Sequence, residues 1–231
     1  MQITPGIEKA WERYLSKTKK LEAGENRRVD LRRWAARAAS VAAVLGVLAL
    51  ALLMLRSKLK VVKWIAEVYV YILRGTPLLL QLFFVYFGLP YIPGIGKFLT
   101  FQRFSASCIA FALNYAAYFA EIFRGGLLAI DDGQYEASKV LGLTHAQTMW
   151  HVVLPQMIRV TLPAVSNETI VLIKDTALVT AIAVPEIMYY AKGAVVRDAD
   201  PTAFIVAGAI YLVINFFITI IFKQLEKKTD F

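Results

Sequence analysis

Several features that define common protein classes are missing from this 231-residue chain, beginning with cysteine. The single cysteine, Cys108, excludes a disulfide framework within the chain. No glycine-rich phosphate loop ends in Lys and Ser or Thr, so we expect no ATP site here. The two histidines, His145 and His151, are six residues apart, which does not place two metal ligands on one helical face. We therefore expect neither a cofactor nor a metal in this chain, and no enzymatic activity of its own.

Charge is plentiful but unevenly placed. The formal net charge is +9, which alone could indicate nucleic-acid binding. However, 58% of the residues are hydrophobic, above the usual half, and they collect in long runs. Lys and Arg stand mostly at the ends of those runs, where lipid headgroups are. The composition therefore favours a protein of the lipid bilayer and argues against a nucleic-acid partner.

Five apolar segments are long enough, or nearly so, to cross a bilayer. They are residues 38–55, 61–90, 104–123, 157–173 and 202–222. The second is interrupted by Pro77, which removes a backbone donor and predicts a kink. Residues 177–188 are apolar but too short to cross alone, which favours a buried or re-entrant segment. We predict an all-α membrane protein with about five transmembrane helices.

The membrane domain, residues 34–222, is flanked by two polar ends. Residues 1–33 form an arm of mixed charge, in which apolar spacings of three and four indicate an amphipathic helix. A solvated helix or a disordered arm remains an alternative for it. Residues 223–231 form a short basic tail, predicted to be cytoplasmic.

Polar side chains recur at helical spacing inside two of the predicted spans. They are Asn114, Tyr118 and Glu121 in the third span, and Thr161, Glu168 and Asp175 in the fourth. Each set shares one helical face. A charge at the bilayer centre costs about 2.5–3.5 kcal/mol on insertion scales, so these faces should point at protein or at a wet cavity. For Glu121, the structural alternative is that it lies near the helix end and extends to the membrane interface, or that it pairs with the nearby Arg124.

A polar stretch, residues 131–156, separates these two spans. Asp131 and Gln134 are spaced like a capping box, which predicts a short helix that Gly142 ends. Thr144 repeats the start signal with a glutamine three residues later.

The second short helix of this stretch is predicted to end at Pro155. Its apolar side chains, which we expect to form a ridge, are Met149, Trp150, Val152 and Val153. Two capped helices outside lipid, presenting Glu136, Lys139 and an apolar ridge, suit the docking of a partner protein. A plain connecting loop is the alternative.

The motifs of this stretch resemble the EAA loop of permease subunits in ATP-binding-cassette importers. They are Glu136-Ala137-Ser138, Gly142 and Leu154-Pro155. Further motifs extend the resemblance to the branch that takes up polar amino acids, from about residue 38 onwards. These are Arg74-Gly75-Thr76-Pro77-Leu78, Asn114 to Glu121 with Phe123-Arg124-Gly125-Gly126, Gly133-Gln134 and Lys174-Asp175-Thr176-Ala177-Leu178.

The resemblance implies a multi-pass permease in a prokaryotic cell membrane that conducts a polar or charged amino acid. Its expected partners are an ATPase dimer that binds ATP and Mg, an extracytoplasmic solute-binding protein, and a second copy or a related permease. The EAA loop would be the cytoplasmic coupling helix, and the residues expected to couple to the ATPase are Glu136, Ala137, Gly142, Leu154 and Pro155. Polar residues at the positions of Asn114, Glu121 and Glu168 would lie near the translocation path.

The N-terminal region departs from this pattern. Counting back three spans from a cytoplasmic EAA loop places the N-terminus outside. Ten Lys and Arg residues within residues 1–37 favour the cytoplasm instead. The two arguments conflict, so the side of the arm stays open.

Two other classes of function fit part of the pattern. A stand-alone secondary transporter or channel would use the intramembrane acids for ion coupling, but it gives the capped loop no role. A membrane scaffold would use the acidic faces only as interhelical pairs. Stoichiometric ATPase subunits are required by the importer alone, so co-purification distinguishes the three.

Overall fold

The structure is a computed structural model that describes residues 59–229. The charged arm at 1–33 and the predicted span at 38–55 lie outside the described residues. Between 59 and 229 the chain forms helices joined by short turns, without a strand, which confirms the all-α prediction. The helices are α1 (Lys60–Gly75), α2 (Leu78–Phe83), α3 (Arg103–Leu128), α4 (Asp132–Val140), α5 (His145–Thr148), α6 (Leu154–Asp175), α7 (Ile187–Asp198) and α8 (Thr202–Thr229).

Tighter and wider helical turns connect some of these helices. Those with 3₁₀ geometry are Leu89–Tyr91, Gly96–Leu99 and Thr176–Ile182, and those with π geometry are Phe84–Gly88 and Met149–Val153. Residues 91–103, a segment without regular apolar pattern, form mostly turns around the 3₁₀ piece at Gly96–Leu99.

Two helices of the described range are long and apolar enough to cross a membrane, α3 and α8. The pair α1 and α2 makes a third if its bent halves are counted as one span. The bend is 107° and falls at Thr76-Pro77, so the predicted kink is confirmed and is far sharper than an ordinary proline kink.

The predicted fourth span is present as α6, a helix of 22 residues. It is absent from the helices that composition alone marks as spanning, because Arg159, Glu168, Lys174 and Asp175 interrupt its apolar character. The number of spans is therefore approximate. Helix α8 corresponds to the fifth predicted span. It continues past the predicted end at Phe222, so residues 223–229 are helical.

The main hydrophobic core joins the far side of the broken helix to the segment after α6. Its buried members are Leu82, Val85, Ala106, Ala110, Val179, Ile182 and Val184. Three of these come from the 3₁₀ turn Thr176–Ile182 and the residues just after it, which confirms that residues 177–188 begin as a buried segment. Ala183 follows in the left-handed conformation (φ 56°), where the chain reverses toward α7.

Candidate translocation path and coupling surface

The polar face of α3 points at protein, as predicted. Asn114 is only 4% exposed, and its side-chain amide donates to the Leu73 carbonyl and to Gln81 Oε1, both at 3.0 Å. One turn further, the Arg74 guanidinium lies over the Tyr118 ring, 5.4 Å from its centroid. Asn114 and Tyr118 therefore both meet the C-terminal end of α1, where the helix breaks.

Glu121 lies on the same face, nearer the end of α3. Arg124 Nε donates to its carboxylate at 2.8 Å, so the ion pair considered as the structural alternative for Glu121 is present. The pair does not withdraw Glu121 from the other charges, because the carboxylate also interacts electrostatically with Arg74. Arg74 thus lies near both Tyr118 and Glu121.

The three polar residues of α6 occupy different environments. Thr161 is buried and donates to the Met157 carbonyl of its own helix at 2.9 Å. Asp175 accepts a hydrogen bond from the buried Tyr115 hydroxyl of α3 at 2.8 Å. Glu168, which is half-buried, interacts electrostatically with Arg74 and Asp175.

Arg74 lies over Tyr118 and lines one cavity with Glu121, and sequence reasoning did not assign it a role. It interacts with Glu121 of α3 and with Glu168 of α6. A signal was available: a cation inside a predicted span is expected to pair with acids in neighbouring spans. The sequence predicts the break at Pro77 but not its sharpness of 107°, which brings the end of α1 to the polar face of α3.

Helices α3 and α6 are in close contact at a glycine. A Cβ atom placed on the buried Gly126 would overlap Cγ2 of Thr161 and lie 3.1 Å from Cγ of Met157. The neighbouring Gly125 has nothing within 4 Å of such an atom. Gly126 therefore permits the close contact that sets Thr161 against α3.

A cavity of about 780 Å³ opens beside the polar faces and extends from α1 and α3 to Tyr135 of α4. Its charged lining carries both signs: Lys63, Glu67, Arg74, Glu121 and Arg124. Of the six predicted path residues, only Glu121 lines this cavity. Of the other five, Asn114 and Thr161 are buried, and Tyr118, Glu168 and Asp175 are half-buried.

The N-cap of α4 is Asp131, as predicted, but Gln134 does not form the predicted capping box with it. Asp131 caps the helix by accepting from the Gly133 amide at 2.6 Å. The capping box with Gln134 is wrong: the Gln134 side chain instead accepts from Gln156 Nε2 at 3.1 Å. That bond joins α4 to the beginning of α6.

The end of α4 is confirmed at Gly142, which has a φ of +76°. The Leu143 amide donates to the Ser138 carbonyl and the Gly142 amide to the Lys139 carbonyl, both at 3.0 Å. These two bonds form a Schellman motif, which a residue with a side chain adopts only with strain.

The second predicted helix begins where expected and does not end where expected. Thr144 and Gln147 form the predicted capping box. Pro155, however, does not close the helix: α5 passes through the π turn Met149–Val153 directly into α6. Proline in a regular helix would clash with the carbonyl four residues earlier. The wider π turn, in which the Leu154 amide donates to the Met149 carbonyl, accommodates it.

The exposed apolar surface of this stretch also differs from the predicted ridge. Val153 is fully buried, whereas Trp150 is 71% exposed. The other strongly exposed apolar residues are Val140 and Leu141, at the end of α4. We call the exposed surface of Glu136, Lys139, Val140, Leu141 and Trp150 the coupling surface.

Residues 39–231 match the family described as binding-protein-dependent transport system inner membrane component. The chain belongs to this family and is a permease subunit of an ATP-binding-cassette importer. The chain is 38% identical over 176 residues to the L-cystine transport system permease protein TcyB of Bacillus subtilis, which covers 75% of this chain and 73% of TcyB. It is 42% identical over 168 residues to the arginine transport system permease protein ArtQ of the same organism, covering 71% of this chain and 74% of ArtQ.

Solved structures give the same result. The crystal structure of an amino acid ABC transporter with histidines has a TM-score of 0.73 and 34% identity, over 82% of this chain and 86% of that one. A methionine transporter, MetNI, in an inward-facing conformation has a TM-score of 0.63 at 16% identity, which shows a shared fold alone.

Proposed function

We propose that this permease conducts a polar or charged amino acid and that Asn114, Tyr118, Glu121, Thr161, Glu168 and Asp175 belong to its translocation path. The observation that carries the proposal is the position of Arg74, whose guanidinium lies over Tyr118 on the polar face of α3 and which lines one cavity with Glu121. A free amino acid carries a carboxylate and an ammonium, so a path for it needs groups of both signs. The relatives named for cystine and arginine transport support this class of substrate.

The residues of the proposed path have different roles. Glu168 and Glu121 are the acids available to a cationic group, because each keeps partial exposure. Thr161 and Asp175 hold α6 against α3, through the contact at Gly126 and the bond from Tyr115. Asn114 supports the broken helix from the α3 side.

For the coupling surface, we propose that it docks on a separate ATPase subunit, with Ala137, Gly142, Leu154 and Pro155 shaping the segment around Glu136. Exposed apolar side chains beside an exposed carboxylate are typical of a docking site rather than of a loop. The ATPase would supply the sites for ATP and Mg. A solute-binding protein, a second permease copy or a related permease, and a prokaryotic cell membrane complete the proposal.

The test is reconstitution of Glu136→Arg in liposomes with the ATPase and solute-binding protein of its transport system. We expect the variant to insert normally, to lose ATPase on co-purification and to lose ATP-driven uptake. Breaking a desolvated, hydrogen-bonded charge pair costs roughly 2–5 kcal/mol, enough to release a docked subunit. The matched control is Asp198→Arg, the same change of charge at an exposed acid of α7.

Wild-type ATPase binding and uptake in Glu136→Arg would show that the segment is a connector. Uptake by the purified permease without any ATPase would instead support a secondary transporter. Radiolabelled L-arginine, L-glutamine and L-aspartate serve as basic, neutral and acidic probes.

A further inference from the structure

The break between α1 and α2 leaves backbone groups that no helix can pair. Pro77 has no N–H, and the chain turns by 107° at this point, so the last carbonyls of α1 lack intrahelical donors. In apolar surroundings such carbonyls need a partner from elsewhere in the protein. The donors that the structure provides are the Thr76 hydroxyl and two side-chain amides.

One of these amides is that of Gln81, in α2. Its Nε2 lies 2.8 Å from the Leu73 carbonyl, 3.0 Å from the Thr76 carbonyl and 2.9 Å from Thr76 Oγ1. The Thr76 hydroxyl in turn donates to the Ile72 carbonyl at 2.8 Å. A single side chain of α2 therefore holds the backbone of α1 on both sides of residues 74 and 75.

The second amide, Asn114, fixes the first to α3. Asn114 Nδ2 donates to the Leu73 carbonyl and to Gln81 Oε1, both at 3.0 Å. Because only the amide nitrogen can donate to a carbonyl, these contacts determine the orientation of both side chains. The Leu73 carbonyl thus receives two donors, one from α2 and one from α3.

Arg74 lies inside the segment held in this way. The residues whose carbonyls are held, Leu73 and Thr76, flank it in the chain. Its guanidinium lies over Tyr118, one helical turn beyond Asn114. Its electrostatic partners are Glu121 and Glu168. The distance between Arg74 and the two acidic faces therefore depends on where the held backbone is.

We infer that Gln81 and Asn114 form an amide clamp on the broken helix and that Gln81 is a positioning residue, which holds Arg74 against the polar face of α3. Gln81 forms no hydrogen bond with an acid of the path. It acts on Arg74 through the backbone of residues 73 and 76, which it holds. The consequence for transport rests on the proposed function, whereas the consequence for the backbone does not. The test has one arm for each.

The first arm measures the backbone. A spin label is attached at Gly75→Cys in a Cys108→Ala background, because a side-chain atom at Gly75 meets nothing within 4 Å. Gln81→Met keeps a side chain of similar length and removes the hydrogen bonds that Gln81 makes, while the bond from Asn114 to the Leu73 carbonyl remains. We expect the label to become more mobile in Gln81→Met and to stay unchanged in Gln224→Met, the same substitution at an exposed position of α8. An unchanged spectrum in Gln81→Met overturns the clamp, whatever happens to transport.

The second arm measures uptake per assembled transporter in liposomes with the ATPase and the solute-binding protein. Loss of the hydrogen bonds from Gln81 to the Leu73 and Thr76 carbonyls predicts a decrease of about tenfold in Gln81→Met. In an Arg74→Gln background the same substitution should change uptake by less than about twofold, since coupled residues are not additive. If Gln81 had a purely structural role, Gln81→Met would lower the amount of assembled transporter, and its effect on uptake would add fully to that of Arg74→Gln. That result would overturn the role of Gln81 as a positioning residue. If the wild type takes up none of the three probes while the spectrum still responds, the proposed function fails and the clamp stands.

Discussion

Replacing Gly126 by alanine tests whether the contact between α3 and α6 sets the geometry of the path. The new methyl group would overlap Cγ2 of Thr161 and crowd Met157, both on α6. Thr161 is buried and bonded to its own helix, so it cannot rotate away freely. We expect Gly126→Ala to push the two helices apart.

The magnitude follows from a comparison with Gly125, which has open space around it. Alanine in place of glycine inside a helix stabilises by about 1 kcal/mol at either position. Overpacking costs typically 1–3 kcal/mol and applies only at Gly126. The difference between the two variants is therefore about 1–3 kcal/mol, because the helix propensity cancels.

The assay is thermal unfolding of the purified permease, together with uptake in liposomes. For a chain of this size each kcal/mol corresponds to roughly 2–4 °C in Tm, so Gly126→Ala should unfold about 2–12 °C below Gly125→Ala. Thr161→Ser removes the overlapping methyl group and keeps the hydroxyl bond, so it should restore the Tm and uptake of Gly126→Ala. Equal Tm values for the two alanine variants, or no rescue by Thr161→Ser, would refute this reasoning.

The remaining predictions concern two carboxylates. Glu168→Gln should leave assembly intact and reduce uptake of L-arginine more than that of L-aspartate, because it removes a negative charge beside Arg74; equal kinetics for all probes would contradict the assignment of Glu168. The Glu186 carboxylate caps α7 and accepts from the Thr180 and Tyr211 hydroxyls. Glu186→Ala should therefore reduce the free energy of unfolding by roughly 1–3 kcal/mol and lower the Tm. Glu186→Gln keeps one of the two oxygen acceptors and should cost less, and a Tm equal to that of the alanine variant would show that the remaining oxygen does not stabilise α7.

The features that the sequence predicted well depend on neighbours in the chain. The break at Pro77, the cap at Thr144 and the helix end at Gly142 each follow from the chemistry of a few adjacent residues. Helical spacing was enough to place Asn114 and Glu121 on one face of α3.

The features that it missed depend on contacts between distant segments. Gln81 lies 33 residues from Asn114, and nothing in its own surroundings marks it as a donor to a broken helix. The sequence predicts a helix end at Pro155 because a proline usually ends a helix. Its actual effect depended on the preceding turn, which could widen to accommodate the ring. Such outcomes are decided by packing that local sequence does not contain.

The uninterrupted helical backbone from His145 to Asp175 has a mechanical consequence. At 1.5 Å per residue it is about 45 Å long, and its close contact with α3 at Thr161 lies near the middle. It is thus a lever with two arms of almost equal length. One arm carries Trp150 of the coupling surface and ends at His145, and the other ends at Asp175. A rotation about the contact would move the two ends by similar distances in opposite directions. Pro163, which omits one backbone hydrogen bond two residues beyond the pivot, is where that lever would bend first.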